Sequence, residues 1–308
     1  MDRRLLVAGA ALALAAAIAT GCSKSPTAPA APATDNSEVN TTLVQAATLV
    51  DDGLAEDNSQ VAASALEAPA GSFGVQAAIK PFAWWQNITA ETRTWTLAFS
   101  DSDSTGHPNT CLATLVKHMT GELVVIPQSP TDSTQADTSR IFKPLDKTLT
   151  RKIMLKRIVI GKDHYWRVTE VTGAFVTTPS ATVDIESLRV QSTSGVDTTI
   201  TDPLQWESLR HVLAFTTNDS VTVTVTTSHL NDAVYIHRWD WRHRLRTNGD
   251  GTYTFGWVTS AWGGWRWFGI QAMTHGSIYD DTAPFDSQAW HFVFRVVGQQ
   301  PAVDYYPQ

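Results

Sequence analysis

Seven of the twelve tryptophans of this chain fall between residues 239 and 290: Trp239, Trp241, Trp257, Trp262, Trp265, Trp267 and Trp290. An indole ring is a flat apolar surface. It can stack on the face of a sugar ring, or it can fill the core of a sandwich, where one tryptophan buries roughly 150–250 Å². Strand alternation along 235–246 sends Tyr235, His237, Trp239, Trp241, His243 and Leu245 to one face. It sends Arg238, Asp240, Arg242, Arg244 and Arg246 to the other, which would then face water. Core packing is the first expectation for the aromatic face. A glycan-binding face made by Trp239, Trp241, Trp265 and Trp267 is the alternative.

Charge is unevenly distributed. Nine Lys/Arg residues stand against Asp146 and Asp163 between positions 140 and 167, while positions 35–67 carry seven acids and no base. Arg151, Lys152, Lys156 and Arg157 are therefore candidates for holding an anionic ligand. The acidic segment 38–57 is expected to lay Val39, Leu43, Val50 and Leu54 on a sheet face beside this basic hairpin. The apolar face would supply most of the energy, because exposed ion pairs contribute only about 0–1 kcal/mol each.

Other chemistry is sparse. Asp101-Ser102-Asp103-Ser104-Thr105-Gly106 sets oxygen ligands at alternate positions before a turn glycine, as a calcium loop begins. Leu112 stands where the closing bidentate glutamate would be needed, so a plain polar turn is expected. Asp280, Asp281 and Asp286 form a second acidic loop. No metal centre is expected, Asp101 and Asp103 being the calcium candidates. The two cysteines, Cys22 and Cys111, cannot build a zinc site, and Cys111 reads as a buried inert thiol in a strand. There is no G-x-S-x-G, no H-E-x-x-H and no phosphate-cradling glycine loop. No catalytic residue is named, a non-enzymatic role is expected, and no cofactor is expected.

These residues must be positioned by a mainly β chain. Val39, Leu43, Ala47, Val50 and Leu54 recur at helical spacing, predicting a helix within 38–68 that ends by Pro69-Ala70-Gly71. Thereafter the pattern is β. Thr94–Ser100 alternates, Thr110–Ile126 is two strands or one bulged strand around Thr120-Gly121, and 149–171 is a hairpin turning at Gly161-Lys162-Asp163. Pro179 is the expected boundary between a β-rich domain at 73–178 and a second at 179–298, with a tail at 299–308. The turn Asn248-Gly249-Asp250-Gly251 is a hairpin signal. The fold class is mainly β, with antiparallel β-sandwich domains and one N-terminal helix after a disordered tether.

Two stretches resemble known families. Residues 1–22 read MDRRLLVAGAALALAAAIATGC: Arg3 and Arg4, an uncharged run from Leu5 to Ile18, then Ala19-Thr20-Gly21-Cys22. This resembles the signal peptide and lipobox of bacterial lipoproteins, with Ala19 where leucine is usual. The resemblance implies cleavage before Cys22, lipid on its thiol, and export to the cell envelope. Ser23 after the cysteine, with no aspartate, favours the outer membrane. The Pro/Ala-rich stretch 22–37 would be the tether. The second resemblance rests on NDSVTVTVT at 218–226, GTYTFGWV at 251–258 and GWRWFGIQA at 264–272. It is to bacterial immunoglobulin-like sandwiches and implies a fold, not a function. The partners expected are a membrane reached through covalent lipid, and envelope proteins or glycans. Thirty acidic against 23 basic residues argue against nucleic acid.

Overall fold

The computed structural model describes residues 33–51, 53–62, 79–129, 131–132, 134–238 and 241–298. The lipobox, Cys22, most of the tether, Trp239, Asp240 and the tail lie outside the described residues. The chain is mainly β and its sheets are antiparallel but for one parallel pair. Three pieces of helix come first: α1 (Ala33–Gln45), α2 (Ala47–Val50) and a 3-10 turn at Leu54–Glu56. The helix thus begins earlier than its apolar spacing predicts and breaks at Ala46. Val61 and Ala62, read as a second helical turn, instead form the short strand β1 (Val61–Ala62).

Four long strands follow as a meander: β2 (Pro81–Ser102), β3 (Pro108–Pro127), β4 (Ile141–Ile160) and β5 (Asp163–Thr177). Residues 110–126 lie in one strand, and the irregularity falls on its neighbour, where β2 bulges between Ile88 and Ala90 opposite Gly121. A side chain at Gly121 would put its Cβ 2.0 Å from the Asn87 carbonyl oxygen. The β4–β5 hairpin turns at Gly161-Lys162 as its sequence predicts, with Gly161 at φ +65°.

The remaining strands are β6 (Ile185–Ser192), β7 (Asp197–Ile200), β8 (Glu207–Ser208), β9 (Ala214–Thr216), β10 (Ser220–Thr227), β11 (Ala233–Arg238), β12 (Trp241–Arg244), β13 (Arg246–Thr247), β14 (Thr252–Val258), β15 (Gly264–Met273) and β16 (Ser287–Val297). A short helix, α3 (His275–Tyr279), joins the last two. They divide between two sheets. The larger runs β1-β2-β3-β4-β5-β16-β15-β11-β12, with β8 on β5 and β9 on β16; the smaller runs β13-β14-β10-β6-β7. Pro179 ends β5 without separating two sheets: Phe175 of β5 pairs with Trp290 of β16 across that position.

The outer face of β16 and β15 (Trp290, Phe292, Phe294, Phe268, Ile270) packs on Val221, Val223, Val225, Val190, Tyr253 and Trp257 of the smaller sheet. This is a two-sheet sandwich with an aliphatic and aromatic core. The link from β14 to β15 crosses the sandwich rather than folding back as a hairpin, so Trp257 meets Phe268 from the opposite layer at 5.8 Å. The other face of the larger sheet curls inward. The two ends of the sheet approach each other, Trp84 of β2 donating from Nε1 to the Tyr235 hydroxyl of β11 at 3.2 Å. Val61, Trp84, Leu123, Ala233, Tyr235 and Ile278 close that end with one apolar cluster. Among the described residues no helix is long and apolar enough to cross a membrane.

Candidate functional site

Alternation along β4 points Lys143, Leu145, Lys147, Leu149, Arg151, Ile153 and Leu155 into the curl, and all are buried. Three cations therefore sit where strand periodicity asks for apolar residues, joined by the fully buried Lys117 of β3. A buried charge is tolerated only when paired and hydrogen-bonded. Lys143 donates to the Gly276 carbonyl at 2.8 Å and to the Asp280 carbonyl, whereas Lys117, Lys147 and Arg151 find partners in the acidic segment between α1 and β1. Lys117 Nζ bonds Asp51 Oδ1 at 2.6 Å and also contacts Glu56. Arg151 donates to the Val50 carbonyl at 2.9 Å and stacks on Trp267 at 4.3 Å. Lys147 donates to the Gln86 Oε1 at 2.5 Å and to the Ala55 carbonyl. Trp267 Nε1 donates to the Thr48 carbonyl at 2.6 Å. Leu54 and Ala55 are thereby seated inside the curl, and α1 lies over its rim through Val39 and Leu43. The docking that charge asymmetry predicts is observed, but its cations are Lys117, Lys147 and Arg151.

The far wall of the curl supplies a second set. Asp57 bonds the ring Nε2 of His237 and lies 3.7 Å from Arg242 Nη2. Burial raises the Asp57 carboxyl, but hydrogen bonds from His237 and Ser59 outweigh it and leave the group well below the usual carboxylate range. Burial pushes the His237 imidazole down to about 4 and the Lys147 ammonium to about 7. A cavity of about 10 Å³, room for roughly one water, lies against Lys147, Gln86, His237, Arg242 and His291. Gly269 makes space for the His291 ring, which a Cβ would meet at 2.7 Å.

Where the curl splays open, a cleft of about 1010 Å³ remains. One side is Leu43, Val44, Ala47 and Val50 of the helical pieces; the others are Trp95 of β2 and Trp265 and Trp267 of β15. Among the described residues, Arg93, Arg238 and Arg266 also line it, with the carboxylate of Asp51, to which Arg93 is paired.

Several expectations are corrected. The alternation drawn through 235–246 fails because β11 and β12 are antiparallel neighbours: Arg242 pairs with His237 and Arg244 with Tyr235. Arg242 shares the buried face with Tyr235 and His237 rather than facing water, and stacks on Trp84 at 4.9 Å. Among the described residues, Trp241, Trp265 and Trp267 form no common platform. Trp241 packs on His243 and Phe255 on the sandwich side, Trp265 carries Arg295 above its ring, and Trp267 is 7 % exposed and consumed by packing. The basic set divides as well. Arg151 and Arg157 point inward, Arg157 pairing with Asp103 at 3.1 Å, while Lys152 is half-buried and Lys156 exposed.

The acidic loop is satisfied internally. Asp103 Oδ1 accepts from Thr105 and from the His107 amide, and Asp101 Oδ2 accepts from Thr110 at 2.9 Å. The Thr105 hydroxyl in particular holds the Asp103 carboxyl down at about 2. Cys111 is a buried free thiol, as its strand context predicts, and burial pushes it up to about 12. The residues missed by sequence reading are Lys117, Lys147, His237 and Arg242, and a group at Asp35, Glu38 and His164. A signal existed for one subset: Lys143, Lys147 and Arg151 repeat every four residues, which in a strand is a single face.

No protein-family model, curated protein or solved structure matches this chain.

Proposed function

We propose that this chain is a non-enzymatic binding protein of the cell envelope, anchored by lipid on Cys22, whose ligand is an amphiphile with an apolar body and an anionic head. The observation that carries the ligand class is the cleft beneath α1 and α2. Its volume, about 1010 Å³, is at the upper end of ordinary small-molecule sites. Its walls are tryptophan and aliphatic side chains, and among the described residues three arginines and one carboxylate line it. Apolar walls give affinity without direction, and guanidinium groups orient a carboxylate or phosphate. A glycan would want coplanar, accessible rings with neutral hydrogen-bonding neighbours, and the described tryptophans do not offer that arrangement. The anchor reading is supported by Ala19-Thr20-Gly21-Cys22 and the uncharged run before it.

A fluorescent long-chain fatty acid titrated into the full mature chain tests the ligand class. Saturable binding that Trp265→Ala or Arg266→Ala weakens at least tenfold is expected. Binding unchanged in both variants, or tighter binding to a neutral oligosaccharide, would overturn it. The anchor is tested separately: Cys22→Ser should abolish acylation and release the protein from the membrane fraction, and unchanged fractionation would refute it.

A further inference from the structure

α1 touches the β4–β5 hairpin through more than apolar contact. Asp35 and Glu38 lie one turn apart on α1, which brings both carboxylates to the same side of the helix. His164, the second residue of β5, reaches them from the hairpin. One ligand atom of each of the three lies within 4.8 Å of the other two. His164 Nε2 is 3.0 Å from Glu38 Oε2, and His107 Nδ1 is 3.6 Å from Asp35 Oδ2. The side chain of Asp35 is 2 % exposed. Its Oδ2 is buried with no hydrogen-bond partner among the described residues, and His107 Nδ1 is in the same condition. A buried carboxylate oxygen left without a donor is costly, by about 1–3 kcal/mol or more for a charged group. A cation placed among these atoms removes that cost.

We propose that Asp35, Glu38 and His164 form a binding site for a divalent transition-metal ion of the zinc class, with His107 beside Asp35 as the next ligand in reach. The donor chemistry selects this class. Imidazole nitrogen with two carboxylate oxygens suits zinc and its neighbours, whereas calcium takes six to eight oxygens and few nitrogens. The separations are compatible. Metal–ligand bonds of about 2.0–2.1 Å put tetrahedral ligand atoms roughly 3.3 Å apart, and the His164–Glu38 and His107–Asp35 separations, 3.0 and 3.6 Å, bracket that value. The loop carrying His107 is itself fixed, since the His107 amide donates to Asp103 Oδ1 at 3.0 Å and Asp103 is paired with Arg157. The ion would therefore join three separate pieces of chain: α1, the loop before β3, and the start of β5. It would hold α1 over the rim of the curl, where Val39 and Leu43 already pack.

The test is titration of the metal-free full mature chain with zinc chloride, followed by calorimetry and by the thermal melting midpoint. One zinc per chain and a rise in the midpoint are expected, with magnesium and calcium ineffective at the same concentration. Asp35→Asn and His164→Gln should each weaken zinc binding at least tenfold. His118→Gln, at the exposed His118–Asp146 pair elsewhere on the sheet, should leave it unchanged. Because His164 is at a partly exposed hairpin end, His164→Gln should keep the metal-free melting midpoint, so it decides the matter even if Asp35→Asn does not fold. Absence of stoichiometric uptake, or equal uptake by His164→Gln, would overturn the proposal.

Discussion

The two faces of strands β15 and β16 are buried by opposite means. On the sandwich side, Phe268, Phe292 and Phe294 meet a second sheet of valines and aromatics, and nothing ionic is needed. On the curled side, the same strands present Gln271, His291 and Trp267, and the opposing wall presents Lys117, Lys147 and Arg151. That space is filled by residues 48–51 and 53–57, which bring carboxylates and backbone carbonyls to the cations. The sandwich gains from burial of area, which is insensitive to pH and salt and roughly additive. The curled side gains from matched charges whose desolvation must be offset by geometry, so it fails abruptly when one partner is lost. A single sheet can thus carry a permanent core on one face and a conditional one on the other.

That contrast can be broken most directly from the apolar side. Phe294 is fully buried and touches Phe215 at 5.4 Å and Phe268 at 5.8 Å. Phe294→Ala should cost about 3–5 kcal/mol of unfolding free energy, by an amount independent of pH between 5 and 8. A pH-dependent loss would show that the two faces are not separate.

From the ionic side, Asp57→Ala leaves the Arg242 guanidinium, whose side chain is 2 % exposed, without its carboxylate. The expected loss is about 3 kcal/mol, the low end for a broken buried pair because Asp57 itself is partly exposed. Proteolysis should then cut first within residues 48–60. Protection of that segment in the variant would mean that apolar packing alone holds it.

Between pH 6.5 and 4, acid should act first on the curled side. Burial is the largest influence on His237 and depresses its imidazole from 6.5 to about 4. The folded state thus binds fewer protons than the unfolded one in that window, and stability falls as pH drops from about 6.5 to 4. The effect is on the order of 3 kcal/mol, read as a shift in denaturant midpoint. The depressed Asp57 carboxyl adds a further loss below that range, as pH falls through its folded value. His237→Gln should flatten the slope between pH 6.5 and 4, while Phe294→Ala should retain it. An identical slope in His237→Gln would assign the acid response to other groups.

The smallest effect belongs to the sandwich surface. Arg189 and Asp197 form a bidentate pair, but both are about half exposed, at 50 % and 52 %. Arg189→Ala should leave the melting midpoint unchanged within error at physiological salt, since solvent screens such pairs. A measurable drop would mean that ion pairing matters on both sides of the sheet.

Strand-forming segments, the turns at Gly161-Lys162 and Asn248–Gly251, and the buried state of Cys111 follow from local pattern, because period-two alternation and positive-φ glycines are properties of a few adjacent residues. The apolar spacing of Val39, Leu43, Val50 and Leu54 likewise announced a face that must be covered, and charge announced roughly where. The candidate sites were harder to read. Unbroken alternation from Tyr235 puts Arg242 in water, but the antiparallel pairing of β11 with β12 sets it opposite His237 on the buried face. Nothing local marks the partners of Lys117 and Lys147, because these carboxylate, carbonyl and amide groups lie some sixty to ninety positions away in sequence. Asp35, Glu38, His107 and His164 carry no motif spacing at all.

The sequence by itself determined which segments are extended, where they turn and which residues are too apolar to stay in water, since these depend on backbone sterics and side-chain type. Tertiary structure alone decided which face of each strand is dry, which cations are neutralised and which carboxylates meet a histidine. Those outcomes depend on what chain segment lies opposite, and a Coulomb or hydrogen-bonding partner is chosen by distance in space, which residue spacing does not encode.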